Sequence, residues 1–190
     1  MKYMAELLVE WMVQHKIIEE CKKELYTYGF WQGSLFLFDL LTVGVVGLIT
    51  DMLWQSFIFM ICYGTLRTVA GGYHARSKSG CYFLSVMFLF VVLNVLRQKI
   101  WGITLCVVIL VFSGIVIYLL APVEDENKPL DELEKKVYKG RSRRVYFIMT
   151  IIVCVILVGG NIEIASCITI STMAVSIMLI LGKLKLMSLI

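Results

Sequence analysis

One histidine and one cysteine stand seven residues apart in a polar, glycine-rich segment that lies between two long apolar runs. They are His74 and Cys81, and the segment covers residues 67–81. A thiol attacks a carbonyl carbon as its thiolate, and a neighbouring imidazole can take the proton. This pair predicts the nucleophile and the base of a thiol protease.

The residues around Cys81 favour its ionised form. Cys81 opens the apolar run 81–96, so we expect it at the N-terminus of a helix, where the helix dipole stabilises a negative charge. Arg76 and Lys78 add positive charge close by. The first amides of that helix, with Gly80, would also form a site for an oxyanion.

The spacing of the pair constrains the backbone between them. On a straight helix, seven residues would separate His74 and Cys81 by about 10.5 Å along the axis, too far for a hydrogen bond. The two side chains can therefore meet only if the chain bends. Gly71, Gly72 and Gly80 are the residues that would permit the bend.

Composition predicts the class of protein that must position this pair. The chain is 59% hydrophobic and 17% charged, with a mean hydropathy of +0.85, which leaves too little polar surface for a soluble domain. We predict an all-α, polytopic membrane protein. Its six candidate spans are residues 33–50, 52–66, 81–96, 100–121, 145–162 and 164–182.

The first 30 residues predict an amphipathic helix that lies on the membrane surface, followed by a bundle over 33–182 and a tail over 183–190. The apolar residues recur at helical spacing. They are Met4, Leu7, Leu8, Trp11, Ile18, Cys21, Leu25 and Tyr28. The helix would serve as an anchor, or would also contact a second copy or an amphipathic substrate.

The lysines and arginines predict the orientation. With six spans and an inner N-terminus, 16 of the 18 basic residues fall on the inner side, and Arg97 and Lys99 fall outside. Both termini and residues 67–80 and 123–144 should therefore be cytoplasmic.

Two groups of residues carry a resemblance to a known family. The first is Arg67, the run Gly71 to Ala75, and Cys81; the second is Ala121 and Pro122, with the run Glu126 to Pro129 behind them. Together they resemble the accessory gene regulator B family, integral-membrane cysteine endopeptidases of Gram-positive quorum sensing. The resemblance implies cleavage of a short AgrD-like peptide precursor and its cyclisation to a thiolactone or lactone.

Several further residues are candidates for supporting roles. Asp39 interrupts an apolar span and could orient His74 as a third catalytic group, or could pair with a basic residue, or stay protonated. Asn127 is a candidate for substrate contact or orientation. The resemblance extends the supporting set to Arg67, Gly71, Gly72, Gly80, Lys128 and Pro129.

The other cysteines predict no disulfide framework and no metal site. Cys106, Cys154 and Cys167 lie inside apolar spans, as does Cys62, the one rival nucleophile, which lacks the glycine loop and basic neighbours. One histidine and one cysteine supply two ligands where structural zinc needs four. We expect no cofactor and no nucleic-acid partner.

A transporter or channel is the alternative function, with Asp39 at a permeation site. Transporters of this kind usually contain an internal repeat, and the sequence shows none. A homodimer would be consistent with small residues in the spans, which serve packing within one chain equally well. These residues are Gly44, Gly47, Gly159 and Gly160.

Overall fold

The computed structural model describes residues 2–73, 78–98, 100–124 and 130–187, without the side chains of Lys2, Lys78, Ser79 and Cys81. These ranges form seven α-helices. They are α1 (Lys2–Gln14), α2 (Lys23–Ile49), α3 (Leu53–Ala70), α4 (Lys78–Arg97), α5 (Ile103–Leu120), α6 (Glu132–Val158) and α7 (Ile162–Met187). The predicted all-α membrane class is confirmed.

Helices α2 to α7 each contain one of the six predicted spans, with differences at the ends. Three helical segments are long and apolar enough to cross a membrane, namely Glu20–Ile49, Ile103–Leu120 and Ile162–Met187, and α4 contains a shorter apolar helix, Tyr82–Arg97. The number of crossings stays a prediction.

The chain divides into two compact units, residues 1–45 and 46–190. In the first unit the predicted helix over 1–30 is interrupted. Lys16 adopts a left-handed conformation with φ of 56°, and the amide of Ile17 reaches back to the carbonyl of Met12, a Schellman ending for α1. A 3-10 turn at Glu20–Lys22 leads into α2, which therefore begins ten residues before the first predicted span.

The same type of ending separates two pairs of apolar helices in the second unit. Asp51, with φ of 56°, follows α2, and Gly160, with φ of +79°, follows α6. In each case the next amide bonds a carbonyl five residues back, from Met52 to Gly47 and from Asn161 to Ile156. The first turn falls at the predicted boundary between the spans 33–50 and 52–66, and the second lies two residues before the predicted end of the span 145–162.

Helix α7 forms the centre of the second unit and packs against α3, α5 and α6. Its buried positions are mostly small or hydroxyl-bearing, including Ser166, Thr169, Thr172, Ala174 and Ser176. Small side chains let membrane helices approach closely, and the hydroxyls of Thr172 and Ser176 bond carbonyls of their own helix. Most of α7 is therefore surrounded by protein.

Helices α3 and α7 run in the same direction. Near their N-termini the Gln55 amide donates to Glu163 at 3.0 Å, and near their C-termini the Tyr73 amide donates to the Met178 carbonyl at 2.9 Å. Helix α5 is parallel to both, since it ends beside Gly71. The three C-terminal ends therefore meet at one end of the unit, which also includes the start of α6.

Candidate active site

The two sequence motifs meet where α3 and α5 end. Gly71 and Val123 form an isolated parallel bridge, in which the Val123 amide donates to the Ala70 carbonyl at 3.0 Å and the Gly72 amide donates to the Val123 carbonyl at 3.3 Å. Gly71 has φ of +73°, and a Cβ there would collide with the Val123 carbonyl. The first motif therefore depends on the segment that contains Ala121 and Pro122.

Arg67 holds the loop that leaves α3. Its guanidinium donates through Nη1 to the Gly71 carbonyl and through Nη2 to the Tyr73 carbonyl. Gly72, with φ of +126°, lies so close that a Cβ would overlap Nη1 of Arg67. Arg67 therefore fixes the backbone of the residue that directly precedes His74.

Helix α7 supports the other side of this loop. The Tyr73 amide bonds the Met178 carbonyl, one turn before Gly182. A Cβ on Gly182 would lie 2.7 Å from the Tyr73 nitrogen and 2.8 Å from the carbonyl carbon of Gly72, both inside normal contact. The loop therefore packs directly against the backbone of α7 at Gly182. A larger residue at position 182 would prevent this close approach.

The end of α7 also supplies positive charge at the loop. Nζ of Lys185 lies 5.7 Å from the centre of the Tyr73 ring, within reach of a cation–π contact. Met178, Gly182 and Lys185 are parts of the site that were not predicted from the sequence. The glycine inside an apolar run, followed at once by Lys183, was the available signal.

Cys81 lies in the first turn of α4. The helix begins at Lys78, so Cys81 is its fourth residue, and the predicted position at a helix N-terminus is confirmed for the backbone. Gly80 is the third residue of the same helix, so the expectation that it lies at a bend is wrong. Residues 74–77, which include His74, lie outside the described residues.

The gap between the loop and α4 is short. Five residue steps separate Tyr73 from Lys78, which limits their separation to about 18 Å even for a fully extended chain. The helix that contains Cys81 must therefore start within about 18 Å of the loop that Arg67 and α7 hold. The separation of the His74 and Cys81 side chains stays a prediction.

An ion pair lies next to the second motif. Glu124 accepts from Nζ of Lys135 at 2.8 Å and from the Leu130 amide at 3.2 Å, so one carboxylate joins both sides of the 125–129 segment. The hydrogen bond from Lys135 holds the pKa of Glu124 below its ordinary value of 4.5. Asn127, Lys128 and Pro129 lie outside the described residues.

We expect protection of the Leu130 amide to depend on pH. Because the folded-state pKa of Glu124 is lowered, its bonds are present above pH 4.5 and are lost as the pH falls through the lowered pKa. Hydrogen exchange, corrected for the intrinsic rate, should show Leu130 losing protection at low pH. The Glu124→Gln variant should show no such titration; the same pH response in both proteins would exclude Glu124 as the acceptor.

The alternative nucleophile Cys62 and the proposed third catalytic residue Asp39 lie within helices. Cys62 lies in α3, packed half-buried against the core, and eight residues before Ala70, which puts it about 12 Å along the helix from the loop. Asp39 is an exposed residue of α2 in the first unit. Within the described ranges, no three His, Cys, Asp or Glu side chains could share a metal ion.

Two of the four glycines proposed for dimer packing have roles within the chain. A Cβ on Gly47 would lie 2.5 Å from Oγ of Ser56, so Gly47 allows the end of α2 to pack on the start of α3. Gly160 provides the left-handed residue of its turn. These two glycines therefore give no support to a second copy.

Comparison with known proteins assigns the chain to one family. The family model for accessory gene regulator B matches residues 5–179, nearly the whole chain. The chain belongs to the accessory gene regulator B family. This membership links it to the processing of accessory gene regulator quorum-sensing peptides and to an AgrD-like precursor.

Individual relatives agree with the family match. The chain is 23% identical over 145 residues to an AgrB-like protein 2 of Clostridium perfringens strain 13, covering 72% of this chain and 68% of the relative. It is 24% identical over 128 residues to an AgrB-like protein of strain SM101, covering 63% and 60%. It is 25% identical over 134 residues to an AgrB-like protein of Halalkalibacterium halodurans, covering 68% of this chain and 62% of the relative. No solved structure matches significantly.

Proposed function

We propose that this protein is a membrane-embedded cysteine endopeptidase that cuts an AgrD-like precursor on the C-terminal side of its signal sequence. The observation that carries the proposal is the loop Gly71 to Tyr73, fixed by Arg67 and α7, which leads directly to His74. Four further residues reach the helix start that contains Cys81. His74 and Cys81 are therefore at opposite ends of the short segment that joins this loop to the first turn of α4.

The chemistry follows from these positions. His74 takes the proton of Cys81, and the thiolate attacks the scissile carbonyl carbon. Backbone amides of the first turn of α4 stabilise the oxyanion that forms. The peptide C–N bond then breaks, the C-terminal fragment leaves as an amine with the proton from His74, and the N-terminal fragment stays on Cys81 as a thioester.

The thioester keeps an activated carbonyl for ring closure. A thiol or hydroxyl within the bound fragment gives its proton to His74 and attacks that carbonyl; the bond to Cys81 breaks, which releases a thiolactone or lactone and returns the thiolate of Cys81. A site at the membrane edge would exclude part of the bulk water and so slow competing hydrolysis. Cleavage and cyclisation are then two halves of one acyl transfer.

Reconstitution tests this function against the transporter alternative. Purified protein in lipid vesicles, mixed with the candidate precursor peptide, should convert it to two fragments that mass spectrometry detects. Asp39→Asn should lower the cleavage rate by at least about tenfold if Asp39 orients His74. Transfer of uncut peptide across the vesicle membrane, without any fragments, would support the alternative.

We also propose that the catalytic end faces the cytoplasm. The ends of α3, α5 and α7 and the first half of α6 lie on one side of the second unit, and these segments contain nine of the 14 lysines and arginines of that unit. In a background without native cysteines, a thiol introduced at position 135 should react with an impermeant reagent only after cells are opened. A thiol introduced at position 98 should react in intact cells. The reverse pattern would invert the topology.

A further inference from the structure

An open groove runs between α5 and α6 on the surface of the second unit. Its volume is about 710 Å3, and its lining is almost wholly apolar apart from two arginines. Apolar lining residues include Ile115, Leu119, Phe147 and Ile148, each at least half exposed. The two arginines are Arg143 and Arg144.

Arg143 is held in place at this groove. Its guanidinium carbon lies 3.6 Å from the centre of the Tyr118 ring, and Nη2 donates to the Tyr118 carbonyl at 3.0 Å. Those contacts use one of the five N–H donors of the side chain, and Nε is buried without a described partner. No carboxylate in the described ranges forms an ion pair with Arg143 or Arg144.

The groove extends from the expected level of the lipid headgroups into the expected hydrocarbon region of the membrane. Arg143 and Arg144 directly precede the apolar half of α6, and Tyr118 and Leu119 lie in the last turn of α5. The charged end is therefore at the level expected for lipid headgroups, and the rest continues toward the hydrocarbon. An occupant must combine an anionic head with an apolar chain.

We propose that this groove binds one anionic glycerophospholipid, with its phosphate on Arg143 and Arg144 and an acyl chain along α5 and α6. Arginine binds phosphate oxygens through several N–H donors in a plane, and stacking on Tyr118 orients that plane in advance. The apolar lining matches an acyl chain and offers nothing to a soluble anion. This site is independent of the peptidase assignment.

Native mass spectrometry of the purified protein, titrated with phosphatidylglycerol or phosphatidylcholine, tests the site. One phosphatidylglycerol should bind in preference to phosphatidylcholine, and Arg143→Gln should weaken its binding about tenfold. Arg141→Gln is the matched control, because it removes the same charge from an exposed position of α6 that does not line the groove. Equal binding of the two lipids, or equal loss in the two variants, would overturn the proposal.

A second variant tests the groove without changing charge. Ile115→Trp should occupy the acyl-chain position and reduce binding of phosphatidylglycerol, whereas Val107→Trp, an exposed residue of α5 outside the groove, should leave it unchanged. If Ile115→Trp binds lipid normally, the arginines attract anionic lipid without a groove site. If it breaks up a dimer instead, a second copy of the chain is the occupant, and the lipid proposal is wrong.

Discussion

Replacement of Cys81 by alanine should abolish precursor cleavage, with a loss of at least about a thousandfold. The reason is that Cys81 lies in the first turn of α4, a few residues after the loop held by Arg67, whereas Cys106, which lies in the first turn of α5, is buried at the opposite end of that helix from the loop. Cys81→Ser should lose nearly as much, since His74 would have to deprotonate a much weaker acid than a thiol. The rate of peptide cleavage in lipid vesicles measures both effects.

Cys62→Ala provides the matched control for this loss. Cys62 lies on the same side of the predicted topology, but packs half-buried against the core of the second unit. Its replacement should leave cleavage close to the wild-type rate. Normal cleavage by Cys81→Ala together with loss in Cys62→Ala would transfer the nucleophile to α3.

Gly182→Ala should reduce cleavage by roughly tenfold or more, although residue 182 is more than 100 positions from Cys81 in sequence. The added methyl would lie 2.7 Å from the Tyr73 nitrogen, and overpacking of this kind typically costs about 1–3 kcal/mol. The loop must then move away from Met178, and His74 moves with it. Both the turnover number and the pH dependence of Cys81 alkylation should change.

Gly64→Ala is the control for the glycine substitution. Gly64 is also within a helix of the second unit, but no atom lies within 4 Å of the position its Cβ would take. Alanine there should keep full activity and should slightly favour the helix. If Gly182→Ala folds, cleaves normally and shows an unchanged alkylation profile, α7 does not position the His74 loop.

The sequence predicts the apolar spans well because hydrophobic runs of this length have few alternatives to a membrane helix. The ends of the helices are harder to predict from the sequence, because polar residues extend a helix beyond its apolar part. Helix α6 begins at Glu132, 13 residues before the predicted span. Its start is marked by a capping box, in which Asp131 accepts from the Glu134 amide and Glu134 reaches back to the Asp131 amide. That signature was visible in the sequence.

The interruption after α1 has no comparable signature. Lys16 adopts a left-handed conformation within a stretch whose apolar residues keep helical spacing on both sides. Lysine has no intrinsic preference for that conformation. A periodic pattern therefore predicts one helix where the structure has two.

The candidate site also has one part that the sequence predicts and one part that it does not. The residue types and the spacing of His74 and Cys81 identify the chemistry, because few combinations of side chains activate a thiol. The support from α7 depends on contacts between residues far apart in sequence, such as Tyr73 with Met178. Such contacts become apparent only when the helices are packed together.

The most direct test of the proposed mechanism is to trap the thioester. Wild-type protein is mixed with the precursor in lipid vesicles and quenched at low pH, and the protein is digested and analysed by mass spectrometry. We predict the N-terminal fragment of the precursor on Cys81, removable by hydroxylamine and absent from Cys81→Ala. Cleavage at the normal rate with no adduct on any cysteine, or an adduct on Cys62, would contradict the account.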